Sequence, residues 1–478
     1  MAAELSFLYS FPPDKSAQEL SPVEYDSQMR TFLQRLNSIP AGIWAKGEID
    51  KQDILEILNP AINTIPYLYL LVHQISSHID RAKTPQQLPE TFDPVQIRYV
   101  GADWRKLVEL VDKIVHITSM PALGIVPIRT ALSRMDPSLG TFTSLHLLYL
   151  RLCHEARAYY EALPVLEKYI YSFPTTPVQG GEYTFPCADH FDSSSYITTR
   201  SGLSDKVTAS DVQEYFMLGA NAYLALRQYK QAQLLLECIV TTPSQNLASG
   251  LMAEAYKKLV LVGCLVDGAV TQSLKAANSQ ALKAVRATSR AYEAVSEIFN
   301  SADAARLHAE IDAGAQIWEE DGNTGLVREV LQHHSRIFVR NLSRTFAAAP
   351  ISTIAKWLGQ KPAAAETYIK ALIDDGFLNA TIEHDQGTSV LRFHSELSGP
   401  RAKTEEQQLA DLIAQTKRTN DLAEHVKAVQ TRLTLQKEYI DFAKKKLRQK
   451  ESADQTIGET MDTTWETFEQ DEDVMGDL

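Results

Sequence analysis

Apolar residues recur at helical spacing along most of the chain, and strand-like alternation is confined to a short stretch near residue 380. Residues 13–140 carry several amphipathic stretches, among them Leu33 to Ile39, Ile54 to Val72 and Trp104 to Ile117, separated by proline-bearing turns. Leu251 to Val270 is apolar almost all round, the mark of a buried helix. Helices are expected next around Leu282 to Phe299 and Ala302 to Trp318. From Leu326 onward Val330 and Ile337, flanked by Val327, Leu331 and Phe338, make the stripe of a further helix. A short one follows Pro350 (Ile351, Ile354, Ala355, Leu358) and stops at Gly359, and a third begins at Pro362 and ends at Gly376. Phe377 to Glu383 and Thr388 to Phe393 then read as two strands around the turn His384-Asp385-Gln386-Gly387. Three helices followed by a hairpin predict a winged helix.

An internal repeat lies upstream of that unit. Leu145 to Ile170 and Tyr215 to Val240 match at an offset of 70 residues: Tyr159 falls on Tyr229, Ala162 on Ala232, Leu166 on Leu236 and Glu167 on Glu237. Each copy is followed by Thr-Thr-Pro, at Thr175 to Pro177 and Thr241 to Pro243. Such large and small residues let antiparallel helix pairs pack closely, as in tetratricopeptide-like (TPR-like) arrays, and the offset is near twice the usual unit of about 34 residues. The second unit is expected to be replaced by the polar loop 171–210, rich in Ser, Thr, Gly and Pro. Beyond Gly399-Pro400, residues 403–450 hold no Gly or Pro and predict one long helix, roughly 70 Å at about 1.5 Å per residue. Its heptad stripe runs through Leu412, Val426, Leu433, Ile440 and Leu447, joined by Leu422, Val429 and Ala443. A helix this long is marginal when exposed, so the stripe is expected to enter a bundle with other chains.

The fold class is therefore mainly α: a TPR-like helical-repeat array, a winged helix and a long C-terminal helix. The expected divisions are an N-terminal helical region 1–140, repeats 141–325, winged helix 326–397, bundle helix 403–450 and an acidic tail 451–478.

Charge sharpens the picture. The formal net charge is −13, yet ten of the 60 acids and none of the 47 Lys and Arg lie in the tail, so the body is near neutral. That tail is expected to be disordered, with Trp465 and Phe468 as a possible docking motif and Thr463, Thr464 and Thr467 as phosphorylation candidates. The third helix of the winged unit holds one base, Lys370, against Glu366, Asp374 and Asp375. A DNA-reading helix lies among phosphates and relies on Lys and Arg, so this one would be repelled. From Phe377 to His394 the only base is Arg392. Basic residues end the long helix (Lys444, Lys445, Lys446, Arg448, Lys450), suiting its dipole and faintly resembling a nuclear import patch.

Chemistry is sparse. Cys153, Cys187, Cys238 and Cys264 stand singly, without zinc or redox spacing, which suggests a reducing compartment. No basic-then-apolar leader opens the chain, and apolar runs such as Ile62 to Val72 are too short to span a bilayer, so an intracellular soluble protein is expected. The sequence holds no GxxxxGK[ST], HExxH or GxSxG motif and no His-x-His with a downstream Asp. His333-His334 are adjacent rather than at ligand spacing, His384 and His394 read as surface residues, and Asp374-Asp375 as a solvated helix end. No enzyme activity, metal or cofactor is expected.

An array leading into a winged helix and a long terminal helix resembles the PCI-domain proteins, scaffold subunits of the proteasome lid, the COP9 signalosome and translation initiation factor three. Within that family the similarity is nearest to signalosome members. It is carried by Thr241-Thr242-Pro243 with Met252 to Val262, and by Asn323 and Gly325-Leu326-Val327 with Asn341 to Phe346. It continues through Tyr368-Ile369, Ile373 to Gly376, Ile382, Val390 and Phe393-His394, and so covers about residues 140–394. The resemblance implies that winged helices join edge to edge into an open ring while C-terminal helices form one bundle. It further implies a scaffold positioning a metal-dependent isopeptidase, carried by another chain, that removes NEDD8 from cullins. Signalosome subunits 1 and 8 are the implied neighbours, and cytoplasm and nucleus the implied location. The expected ring contacts are Phe377, Asn379, Thr381, Val390, Leu391 and Phe393, with Leu412, Leu422, Val426, Val429, Leu433, Ile440 and Leu447 in the bundle. Rival readings are a proteasome-lid scaffold, a nucleic-acid-binding PCI protein such as a messenger-RNA export factor, and a hydrolase with an unrecognised site.

Overall fold

The computed structural model describes residues 7–8, 20–40, 44, 48–49, 52–77, 92–176, 185–190, 192–243, 247–266, 268, 274, 277–299, 303–385, 388–395, 398–399, 402–435 and 439–448. The acidic tail, with its tryptophan and threonines, lies outside them, as does the Gln386-Gly387 turn. The chain divides into two compact units, Met1–Ser395 and Glu396–Leu478.

In the first unit, helices α1 (Pro22–Asn37), α2 (Thr64–Ser77), α3 (Gly101–Thr118) and α4 (Ala122–Met135) precede the repeats. A capping box opens α1: Ser21 accepts from the Glu24 amide and Glu24 accepts in return from the Ser21 amide, satisfying two donors that a helix start leaves orphaned. Trp104, Leu107, Val108 and Val115 of α3 are fully buried in the N-terminal core. The two matched stretches are helical hairpins, α5 (Ser144–Glu155) with α6 (Tyr159–Leu166) and α7 (Ala209–Ala225) with α8 (Tyr229–Val240). Ala162 and Ala232 are buried at equivalent places. At Gly219 an added Cβ would lie 2.7 Å from Leu166 and 2.9 Å from Leu235, so α7 is squeezed between the two partner helices.

Between the hairpins no α-helix stands among the described residues. Part of that loop is nevertheless core. Ile197 and Leu203 are fully buried, and the Tyr196 hydroxyl donates to the Met135 carbonyl at 3.0 Å. Arg98 stacks 3.9 Å above the Tyr196 ring and donates to the Pro186 carbonyl. Gly101 permits this approach, because a Cβ there would sit 2.4 Å from the Ser201 carbonyl oxygen.

α9 (Gly250–Val266) is buried on every face, with consecutive residues Leu259 to Cys264 sealed from solvent. The stretch that reads as two helices forms four short ones: α10 (Ser279–Thr288), α11 (Arg290–Phe299), α12 (Ala304–Ala313) and α13 (Ala315–Glu320). Trp318 is buried against Tyr292, ring centroids 4.6 Å apart, and donates its indole N–H to the Ile311 carbonyl.

The winged helix then forms from α14 (Thr324–Leu342), β1 (Ala348–Pro350), α15 (Ile351–Trp357), α16 (Pro362–Asp374), β2 (Ala380–Asp385) and β3 (Thr388–Phe393). Gly359 and Gly376 stop α15 and α16 with φ of 66° and 80°, the left-handed geometry their positions predict. The sheet is antiparallel in the order β1-β3-β2, so β3 is its central strand. β1 is a strand the sequence did not announce, pairing Ala348 with Arg392 and Pro350 with Val390. Proline is tolerated there because an edge strand needs no further ladder donor. In the second unit α17 (Glu405–Leu435) is helical, and so are residues 439–448; the joint between them lies outside the described residues.

Candidate functional site

The residues expected at partner contacts lie on two surfaces, the winged-helix sheet and the face of the C-terminal helix. At the sheet, α16 presents few bases, and its Glu366 accepts from the Ser389 hydroxyl at 3.1 Å. Ser389 also meets His384 Nδ1 at 3.0 Å, so the tip of the hairpin is tied to the acidic helix. Arg392 Nε donates to Glu383 at 2.9 Å across the hairpin; that bond holds the exposed Glu383 carboxyl below its usual range. β1 and β2 each have one strand neighbour among the described residues; β2, six residues long against the three of proline-ended β1, is the edge better suited to accept an added strand.

The six residues expected at the ring contact separate clearly. Thr381 lies on β2, half-buried, its hydroxyl 2.8 Å from His394 Nε2. Asn379 closes the base of the hairpin, donating to the Ser395 carbonyl at 2.7 Å while its own carbonyl accepts from the His394 amide. Phe377 is turned inward beneath α14, with the Arg336 guanidinium 3.6 Å and that of Arg340 5.6 Å from its ring. Val390, Leu391 and Phe393 belong to β3, whose two edges are already paired with β1 and β2. Leu391 is fully buried, which corrects its assignment as a partner contact: it anchors the module's own core. Val390 and Phe393 remain half-buried.

On the terminal helix Leu412, Val426 and Leu422 are 60%, 55% and 48% exposed, far from the burial such residues reach in a core. Leu433, Ile440 and Leu447 are exposed too, and Val429 is half-exposed. Leu409 and Ile413 extend the patch, though the sequence reading passed over them.

The stretches that carried the family resemblance meet inside the array. Lys257 of α9 pairs with Asp321 at 2.6 Å, and Lys258 donates to Asn323 at 2.7 Å and to Glu254. Asn323 donates to the Tyr292 hydroxyl, which donates to Asp321 at 2.8 Å. This network fixes the start of α14 against the array. Burial works against the Asp321 charge, but the bonds from Lys257 and Tyr292 outweigh it and hold the carboxyl below its ordinary range.

A second tie went unnoticed in the sequence. Glu329 of α14 lies 3.0 Å from Arg227 Nη2 and accepts from the Tyr229 hydroxyl at 2.6 Å. The signal was present, since Arg157 and Arg227 stand at the same 70-residue offset as the rest of the repeat.

The histidines fall into structural places. His334 is buried, edge-on to Phe299 at 5.1 Å, and His333 Nδ1 contacts the Glu329 carbonyl. His394 is half-buried and His384 exposed. Among the described residues no group of three or more His, Cys, Asp and Glu is placed to hold a metal, and no helix is long and apolar enough to cross a membrane.

Comparison with known proteins adds a family match. Residues 41–282 match the family model for the N-terminal helical repeats of COP9 signalosome complex subunit 3. The COP9 signalosome complex subunit 3 of Emericella nidulans is 30% identical over 459 residues, covering 91% of each chain. That of Neurospora crassa is 27% identical, covering 100% of this chain and 99% of its own. The Dictyostelium discoideum protein of the same name is 22% identical over 72% of this chain and 75% of its own.

Proposed function

Since the chain belongs to the COP9 signalosome subunit 3 family, we propose that it is a non-catalytic scaffold of that complex, assembling through the β2 edge of its winged helix and the apolar face of its C-terminal helix. The helical array extends from the ring as an arm. The complex removes NEDD8 from cullin-RING ubiquitin ligases with a metal-dependent isopeptidase carried by another subunit, and this chain supplies position rather than reacting atoms. Subunits 1 and 8 are its neighbours, and it works in cytoplasm and nucleus.

The observation that carries this reading is the exposed stripe of Leu412, Leu422, Val426 and Leu433. Large apolar residues in a continuous exposed face mark an interaction site. A strand edge with one free side is a second, independent joint. The acidic α16 weighs against the nucleic-acid alternative.

Affinity capture of the tagged full chain from its own cell extract, read by mass spectrometry, tests the proposal. Recovery of several PCI-domain proteins and a metal-dependent isopeptidase is expected. Removing residues 403–478, or placing Asp at both Val426 and Leu433, is expected to weaken that recovery sharply. Proteasome base and core subunits would transfer the assignment to the lid. A chain captured alone, or with RNA only, would overturn the scaffold role.

A further inference from the structure

The two hairpin turns are copies of one another, yet only one of them is filled. Arg157 and Arg227 both adopt left-handed backbone, φ 53° and 58°. The turns close with the same bonds: Arg157 N–H to the His154 carbonyl and Ala158 N–H to Cys153 in the first, Arg227 N–H to Leu224 and Gln228 N–H to Tyr223 in the second. Burial is identical position by position from 152 to 160 and from 222 to 230. In the second turn, Arg227 and Tyr229 grip the two oxygens of Glu329 at 3.0 and 2.6 Å. In the first, the equivalent pair is Arg157 and Tyr159. The Arg157 side chain is exposed and has no hydrogen bond or ion pair among the described residues. The Tyr159 ring rests edge-on against His154, and its hydroxyl is equally without a partner among them. The acids on either side are engaged elsewhere, Glu155 with His116 at 3.1 Å and Glu161 with Arg129.

We infer that Arg157 and Tyr159 form a second carboxylate clamp, which takes a glutamate or aspartate borne on an amphipathic helix of a partner protein. Three observations fix that partner's chemistry. A residue other than glycine is costly in the left-handed region, and at 227 the grip on Glu329 offsets that cost. At 157 the turn's backbone bonds are present, but no side-chain bond within the described chain adds to them. Second, the occupant of the filled clamp is a helix, α14, whose Glu329 stands beside the apolar Leu326 and Val330. Third, Tyr160 projects next to the empty clamp with 73% of its surface exposed, where the filled copy has Lys230. Arginine beside tyrosine is the composition of interface hot spots. The inference concerns the arm and stands independently of the assembly contacts at the winged helix and terminal helix.

The probe is a fluorescein-labelled peptide with the sequence of residues 324–342, in which Glu329 is the only acid. The full chain's own second clamp is filled, so the first is the site left to bind it. Fluorescence anisotropy should show binding that weakens roughly two- to five-fold in the Arg157→Gly chain, the scale of one solvent-exposed ion pair. The substitution keeps the fold, because glycine suits the left-handed turn. Tyr159→Phe should weaken binding in the same direction, and the Glu329→Gln peptide should bind the native chain as weakly as the native peptide binds the Arg157→Gly chain. Combining the chain and peptide substitutions should add no further loss. No binding by the native peptide, binding indifferent to Arg157→Gly, or an equal loss for both peptides would each overturn the inference.

Discussion

The paired turns allow the worth of one carboxylate clamp to be read by subtraction. Arg157→Gly and Arg227→Gly make the same change to the same backbone, at φ 53° and 58°. Relief of the left-handed strain is worth about 1–2 kcal/mol. The extra freedom glycine gives the unfolded chain takes back about 0.4–1 kcal/mol. Arg157→Gly should therefore stabilise by roughly 0.5–1 kcal/mol. Arg227→Gly gains the same amount but loses the ion pair to Glu329. Because the Arg227 side chain is 70% exposed, that pair is discounted for solvent to about 0.5–1 kcal/mol. The Tyr229 bond to Glu329 survives, so Arg227→Gly should come out near neutral. Thermal unfolding of the full chain should thus place the Arg157→Gly midpoint above the native one and leave Arg227→Gly close to it. A cycle with Glu329→Gln isolates the pair: Arg227→Gly should stabilise in the Glu329→Gln background and not in the native one. Equal shifts for the two arginine variants, or a cycle that closes at zero, would refute the reasoning and remove the precedent for the empty clamp.

Three further outcomes are expected. Burial lowers the pKa of His146 to about 4, so the folded chain resists a proton that the unfolded chain accepts near 6.5; stability should be full above that value and fall by up to about 3 kcal/mol as pH drops toward 4. His146→Gln keeps a side chain able to cap the Thr143 amide but cannot titrate, so urea titrations at pH 7 and 5 should show this part of the slope vanish. Gly101→Ala would drive a Cβ to 2.4 Å from the Ser201 carbonyl, destabilise by about 1–3 kcal/mol and make residues 192–205 an early site of limited proteolysis; unchanged cleavage would show that the loop is not anchored there. Leu391→Ala should cost about 2–5 kcal/mol and strip hydrogen-exchange protection from the β2–β3 hairpin, whereas Thr381→Ala on the edge should leave protection largely intact.

What the sequence disclosed follows from where local chemistry decides the structure. Helix stops at Gly359 and Gly376 were legible because only glycine enters the left-handed region readily, and the pairing of Tyr159 with Tyr229 was legible because both hairpins pack through the same positions. The buried part of the loop was not. Tyr196, Ile197 and Leu203 are scattered among Ser, Thr and Gly, and their burial depends on Gly101 and Arg98 nearly a hundred residues away. Leu391 was misplaced for a related reason. β1 is Ala348-Ala349-Pro350, with no β-branched or aromatic residue, so its strand conformation comes from pairing with β3 rather than from propensity. Without β1, β3 reads as an open edge. With it, β3 becomes central and Leu391 becomes core, leaving β1 and β2 as the two edges; β1 is three residues ending in proline, so β2 is the longer edge with backbone donors to offer. The terminal helix is the opposite case, since its heptad stripe could be traced in the sequence and its leucines and valines are exposed where that stripe places them. Residues whose role is set by their own few neighbours can be read in advance; those set by a distant strand or loop cannot, and the β2 edge belongs to the second kind.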